Sequence, residues 1–221
     1  MNEVLRLIIN ILGGGPVEAL PDLQPFDGED CVWVGVDRGV FTLLTLGITP
    51  DYAFGDFDSV SHEEWALIED KVANLRKYKP EKDETDMELA LNWALTKEAT
   101  KIQMFGATGG RLDHFLGNVQ MLLKAELQHL NTHIEIIDCQ NQLYIKGPGR
   151  HQVERLPEKK YISFIPVTPD VKGLTLEGFK YALSNRHISL GSTLCISNEL
   201  LSSSGTFSIT EGILMVIRSS D

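Results

Sequence analysis

Apolar residues in the first two-thirds of the chain follow two alternating rhythms. Residues 5–12 and 31–36 are continuous apolar runs of strand length, each meeting glycine at or near its end. Between and after them lie segments of helical character. Residues 40–46 form a short one stopped by Gly47. Residues 61–69 open with Ser61 and Glu64 at the spacing of a capping box, and residues 85–96 open with Thr85 and Glu88 at the same spacing. Leu89, Trp93 and Leu95 supply the apolar side of the latter. Residues 101–105 read as a strand. Glycines follow, then one long helix from about His114 to Leu130, and residues 134–138 close the series. Strands alternating with helices predict an α/β unit, a mostly parallel, Rossmann-like sheet flanked by helices.

The rhythm changes near residue 140. Short β-rich runs at residues 142–146, 161–166, 193–196, 205–209 and 213–218 follow one another without helices, punctuated by Gly and Pro. This predicts a small antiparallel sandwich or barrel. The expected division is residues 1–140 and 141–221.

Composition narrows the classes. The chain has 221 residues, 43% hydrophobic and 23% charged, as in ordinary globular proteins. No apolar run reaches the roughly 18 residues that span a bilayer. Residues 5–12 lack a basic lead and a small-residue cleavage site, so they read as a strand, not a signal peptide. Cys31, Cys139 and Cys195 are odd in number and far apart, which points to reduced thiols and a cytoplasmic protein. The formal net charge is −11 and no basic stripe is present, which argues against a nucleic-acid partner. An acidic protein that handles an anionic nucleotide calls for a cation, and Mg2+ prefers carboxylate, water and phosphate oxygens.

Four clusters place aspartate beside glycine or at a helix start, after an expected strand. Ligands of open α/β sheets bind outside the carboxyl ends of the strands, so acids there converge on one crevice. The first cluster is Gly35-Val36-Asp37-Arg38-Gly39, where Asp37 also fits a helix cap. The second is Gly55-Asp56-Phe57-Asp58-Ser59, two acids two apart that suit one hard cation, or a capped turn. The third is Lys82-Asp83-Glu84-Thr85-Asp86-Met87-Glu88. Thr85 is the expected cap, Asp86 lies in the first turn, and Lys82 is a candidate for phosphate. The fourth is Gly106-Ala107-Thr108-Gly109-Gly110-Arg111-Leu112-Asp113-His114, opening the long helix. Gly109 and Gly110 let backbone approach phosphate, Arg111 forks onto phosphate oxygens, and Asp113, His114 and Asn118 stand close by. Gly13-Gly14-Gly15-Pro16 reads as a tight turn with a candidate ligand role. Neither a P-loop nor the protein-kinase set is present.

In combination and order these motifs resemble the thiamin pyrophosphokinase family in its bacterial form. The resemblance rests on Val36-Asp37-Arg38-Gly39, Pro50-Asp51, Gly55-Asp56-Phe57-Asp58-Ser59-Val60, Lys82-Asp83-Glu84-Thr85-Asp86 and Gly109-Gly110-Arg111-Leu112-Asp113-His114. In the second half it adds residues 173–181 and Ser197-Asn198-Glu199. Arg38 stands where the family commonly has the first of two glycines.

The resemblance implies an ATP-binding α/β catalytic domain followed by a thiamin-binding β-sandwich, in a homodimer with active sites at the subunit interface. It implies transfer of the terminal pyrophosphate of ATP to the hydroxyl of thiamin, releasing AMP, with Mg2+. By motif position Asp58, Asp86, Asp113 and Arg111 are the expected catalytic residues. Asp56, Asp58, Asp86 and Asp113 are the expected metal ligands. ATP and its phosphates fall to Asp37, Gly39, Asp56, Lys82, Thr85, Gly109, Gly110, Arg111, His114 and Asn118, and thiamin to Thr175, Tyr181, Ser197 and Asn198. Tyr181 occupies the place of an aromatic residue against the thiamin ring. Two other readings remain open at this point. One is a Mg2+-dependent pyrophosphokinase or phosphohydrolase with another alcohol or nucleotide, and the other is a non-catalytic nucleotide sensor.

Overall fold

A computed structural model describes residues 7–58, 60–77 and 83–221. The chain divides into two compact units, residues 1–139 and 140–221.

Among the described residues the first unit is built on six parallel strands: β1 (Ile8–Leu12), β2 (Cys31–Val36), β3 (Tyr52–Gly55), β4 (Leu75–Lys77), β5 (Lys101–Phe105) and β6 (His133–Ile137). Their order is β6-β5-β1-β2-β3-β4. β1 pairs with both β2 and β5, and chain direction across the sheet reverses there. Such a reversal opens a crevice at the carboxyl ends of the strands. Among the described residues five α-helices connect the strands: α1 (Arg38–Thr45), α2 (His62–Lys71), α3 (Asp86–Leu95), α4 (Leu112–Met121) and α5 (Leu123–Leu127).

The strands read as continuous apolar runs because both faces are covered. On one face Leu12, Trp33, Phe105 and Ile137 pack with Leu23, Leu43 and Ile48. Farther along, Val40, Ala53, Phe57, Ile68 and Val72 form a second cluster. Asp51 starts β3 by accepting the Trp33 N–H with its carboxylate at 2.8 Å, while its own N–H donates to the Trp33 carbonyl at 2.8 Å.

Two expectations about helices change. α1 begins at Arg38, directly after the strand. The single helix expected from His114 to Leu130 is two, with a break at Leu122, whose N–H turns to the carbonyl three residues back (3.2 Å to Val119). α5 then stops in a Schellman arrangement. His129 takes φ 53°, and the Leu130 N–H donates to the Ala125 carbonyl at 2.9 Å.

The second unit is an antiparallel sandwich. Its first layer contributes the strands β12-β9-β14-β7 of the ten-stranded sheet, from β7 (Asn141–Lys146), β9 (Tyr161–Pro166), β12 (Asn198–Glu199) and β14 (Leu214–Ser219). The other runs β11-β10-β13-β8, from β8 (Gly149–Glu154), β10 (Asp170–Glu177), β11 (Leu183–Ser189) and β13 (Ser204–Ile209). Tyr144, Phe164, Leu214 and Val216 of the first sheet meet Val153, Leu176, Ile188 and Phe207 of the second in one core. Residues 193–196, expected as a strand, are a turn, and the pairing falls two residues later on Asn198 and Glu199. The sequence reading did not anticipate β4, β8, β10 or β11. β8 and β11 are largely exposed, so their composition carries no apolar run. Among the described residues no helix is long and apolar enough to cross a membrane.

Candidate active site

Register places four loops at one edge of the parallel sheet. Leu12 stands opposite both Gly35 and Phe105, and Val36 opposite Phe54. The segments that follow these residues therefore leave the sheet side by side. They are Gly13–Gly15, Asp37–Gly39, Asp56–Asp58 and Gly106–Arg111.

The first and last are wound together. The Gly13 N–H donates to the Phe105 carbonyl at 2.9 Å and the Gly15 N–H to the Gly106 carbonyl at 3.0 Å. A β-carbon at Gly15 would meet that carbonyl oxygen at 2.5 Å, so only glycine permits the approach. Gly13 also receives the start of α3, since a β-carbon there would stand 2.5 Å from Met87 Cε. Asp86, the residue before Met87, is thereby carried to the edge on the first turn of α3. Thr85 caps that helix, its hydroxyl accepting the Glu88 N–H at 3.2 Å.

Asp37 sits at φ 49°, ψ −123°, a backbone conformation costing about 1–3 kcal/mol for a non-glycine residue. Its N–H donates to the Phe54 carbonyl at 2.8 Å, and its side chain makes no capping bond to α1. The carboxylate lies instead over Gly55, where an added β-carbon would fall 2.0 Å from Asp37 Oδ1. Asp37 is thus seated beside the Gly55-Asp56 turn. Phe57, also at positive φ (60°), drives its ring into the core against Trp65, with centroids 4.9 Å apart. The buried ring leaves Asp56 half-buried and Asp58 exposed on either side of it. The Asp58 N–H donates to Asp56 Oδ1 at 3.1 Å.

Arg111 grips Asp113 with both arms of its guanidinium, Nε to Oδ1 at 3.1 Å and Nη2 to Oδ2 at 2.5 Å. The guanidinium, with the His114 N–H next, holds the Asp113 carboxyl down at about 2. Both side chains are exposed, at 73% and 64%. Gly109 takes φ 79°, in the left-handed region, while Gly110 and His114 are exposed. Asn118 reaches back from α4 to the preceding loop and donates to the Ala107 carbonyl at 2.9 Å, bracing the loop. Thr108 does the same from below, its buried hydroxyl donating to Asp138 Oδ2 at 2.8 Å. Sequence reading missed this Thr108–Asp138 tie, because the two are thirty residues apart and neither stands in a motif with the other. Lys82 and Ser59 lie outside the described residues.

Oxygen donors of this kind suit a hard cation. Among the described residues, however, no three His, Cys, Asp or Glu side chains are grouped to hold a metal. Asp56, Asp58, Asp86 and Asp113 are therefore not gathered into one shell by this chain. Mg2+ takes one or two carboxylates and fills its octahedron with water and phosphate oxygens. The neighbouring Asp37 and Asp56, with Asp58 two residues on, fit that smaller demand.

In the second unit Asn198, buried, clamps Tyr181. Its Oδ1 accepts the Tyr181 N–H at 3.0 Å and its Nδ2 donates to the Tyr181 carbonyl at 2.9 Å. The Tyr181 ring is left 59% exposed. Ser197, at φ 58°, donates its N–H to Ser163 Oγ at 2.9 Å. Lys180 and Lys160 flank the group on Glu199, at 2.9 and 3.4 Å, and hold that carboxyl below its usual range. Tyr181, Ser197 and Asn198 are thus brought together. Thr175 is engaged elsewhere, its hydroxyl accepting the Asn185 N–H at 3.0 Å where β10 meets β11.

Comparison with known proteins accounts for both units. The model of the thiamin pyrophosphokinase catalytic domain matches residues 27–136, and that of the thiamin pyrophosphokinase vitamin B1 binding domain matches residues 150–214. Thiamine pyrophosphokinase of Bacillus subtilis (strain 168) is 53% identical over 213 residues, 96% of this chain and 99% of its own length. The chain belongs to the thiamin pyrophosphokinase family. A crystal structure of thiamine pyrophosphokinase from Bacillus subtilis superposes with a TM-score of 0.90 at 51% identity, covering 97% of this chain and 99% of that one. Thiamin pyrophosphokinase from Candida albicans shares the fold alone, with a TM-score of 0.73 at 16% identity, over 98% of this chain and 90% of that one.

Proposed function

We propose that this chain transfers the pyrophosphoryl group of ATP to thiamin, giving thiamin diphosphate and AMP. The observation that carries the reading is the meeting of four glycine- and aspartate-bearing loops at the carboxyl edge of the sheet, in a chain of this family. The first unit is the ATP-binding catalytic domain and the second the thiamin-binding domain.

The hydroxyl oxygen of thiamin attacks the β-phosphorus of ATP. The bond from that phosphorus to the oxygen bridging the α-phosphate breaks, and AMP departs with the bond electrons. The hydroxyl proton passes to a carboxylate, Asp58 or Asp86. Such a transfer needs mainly positioning and charge neutralisation. The loops of Gly13–Gly15 and Gly109–Gly110 bring backbone close to the phosphates, and Arg111, once its fork leaves Asp113, spans two phosphate oxygens. Lys82, Thr85, Gly39, His114 and Asn118 complete the phosphate surroundings. Asp37 and Asp56, with Asp58, are the residues that would hold Mg2+, and Asp86 and Asp113 would stand at the same sheet edge. When bound, Mg2+ would supply positive charge that neutralises the phosphates. On the thiamin side Tyr181 offers its exposed ring to the cationic heterocycle, with Asn198 holding it in place and Ser197 beside it, while Thr175 lies apart from this group.

We extend the proposal to a cytoplasmic homodimer with active sites at the subunit interface. The use of ATP and three cysteines that form no disulfide support the compartment. The deciding experiment incubates the protein with ATP, Mg2+ and thiamin and identifies products by mass spectrometry. Thiamin diphosphate and AMP in equal amounts are expected. ADP or inorganic phosphate as the sole nucleotide-derived product, with thiamin unchanged, would refute the reading.

A further inference from the structure

Arg38 stands immediately after the strained Asp37, at the first position of α1. The packing of Gly39 fixes where it points from. A β-carbon at Gly39 would fall 2.1 Å from the Leu12 carbonyl oxygen and 2.9 Å from that of Gly13, so α1 starts pressed against the end of β1. Arg38 is thereby set beside the glycine loop, its Cβ 3.7 Å from where a Gly14 β-carbon would be. From there its side chain runs to Glu64, with Nη2 3.1 Å from Oε1. Glu64 belongs to the first turn of α2, the helix that follows the segment carrying Asp56 and Asp58. The arginine therefore runs from beside the glycine loop to the start of that helix, at the edge where the phosphates are proposed to lie.

The tie to Glu64 is weak and one-sided. Arg38 is 56% exposed, and exposed ion pairs contribute little to stability. Glu64, at 15%, keeps a separate role, since Oε2 accepts the Ser61 N–H at 2.8 Å in the capping box of α2. Losing Arg38 leaves that cap intact. An edge crowded with carboxylates repels a polyphosphate, and this guanidinium needs only to exchange one oxygen partner for another.

We propose that Arg38 is a second arginine for the phosphate chain of ATP, parked on Glu64 in the free protein and transferred to phosphate oxygens when the nucleotide binds. The proposal rests on the ATP-dependent reaction proposed above. The rival role is that of a positioning residue, in which the Arg38–Glu64 bridge holds the aspartate loop in place.

Steady-state kinetics of Arg38→Ala, Arg38→Lys, Glu64→Gln and the double variant Arg38→Ala/Glu64→Gln separate these roles. The wild-type protein is first shown to form thiamin diphosphate and AMP. If it does not, the functional reading fails before Arg38 is tested. In the active enzyme, contact with phosphate predicts that Arg38→Ala raises KM for ATP about tenfold or more, from the loss of charge-assisted hydrogen bonds. KM for thiamin should stay unchanged, and Arg38→Lys should fall between, keeping charge without the fork. Glu64→Gln retains the cap but releases the arginine, so its KM for ATP should equal or fall below that of the wild type. Thermal unfolding of each variant checks the fold. An unchanged KM for ATP in folded Arg38→Ala overturns the proposal. So does an equal rise in Arg38→Ala, Glu64→Gln and the double variant, which is the signature of the bridge.

Discussion

Two side chains show how single residues divide their tasks. Arg111 and Asp113 satisfy each other through two bonds, and the carboxyl is held at about 2 in consequence. The sign follows from the depression. The pair's stabilising contribution is complete above the ordinary aspartate range and is lost as pH falls through about 2. Carbon-detected NMR titration of the Asp113 carboxyl should find its midpoint near 2 in the wild type and in the usual range near 4 in Arg111→Gln. A wild-type midpoint near 4 would show that the fork is not closed in solution. The other acids at the sheet edge carry a different expectation. They face an anionic substrate, so like charge opposes binding unless a cation intervenes. Chelation with EDTA should abolish pyrophosphoryl transfer, and added Mg2+ should restore it. Transfer that persists in excess chelator would remove the metal from the mechanism.

Among the elements, α1 has the narrowest tolerance. Its first turn is pressed onto the end of β1 at Gly39, and that contact also sets Asp37 and Arg38. Gly39→Ala forces a methyl group into the Leu12 carbonyl, which only a shift of the helix can relieve. Overpacking of this kind costs about 1–3 kcal/mol. Chemical denaturation should show a loss of that size, and turnover should fall further than stability because Asp37 moves with the helix. Wild-type stability and activity in Gly39→Ala would mean that α1 is not seated as described. α2 and α3 illustrate what spacing alone conveys. Ser61 and Glu64 form a full capping box, both bonds present. Thr85 and Glu88, at the same spacing, form only half of one, because the Glu88 side chain is taken by Lys124 at 2.7 Å. The motif was legible in both places. Its completion depended on a lysine thirty-six residues away.

At the scale of the whole molecule, the chain divides into two compact units, one built on parallel strands covered by helices, the other on antiparallel strands. The proposed homodimer predicts a particle of about twice the 24.6 kDa of the chain by light scattering. If the active sites lie at the subunit interface, specific activity should fall on dilution in step with the loss of dimer. A fully active monomer would refute both statements.

The sequence by itself determined the class of each unit. Alternating strand and helix rhythms require a covered parallel sheet, and turn-punctuated β runs require antiparallel pairing, because these periods follow from backbone geometry. It also marked the loops, since glycine beside aspartate after a strand is a local signal. It could not mark β8 or β11, whose exposed strands carry no apolar pattern, nor the break at Leu122, where neither Gly nor Pro stands. Tertiary structure decided the rest. The seating of Asp37 over Gly55, the clamp of Asn198 on Tyr181 and the reach of Arg38 to Glu64 join residues separated by 18, 17 and 26 positions. Strand order and helix packing set those distances, and no local pattern encodes them.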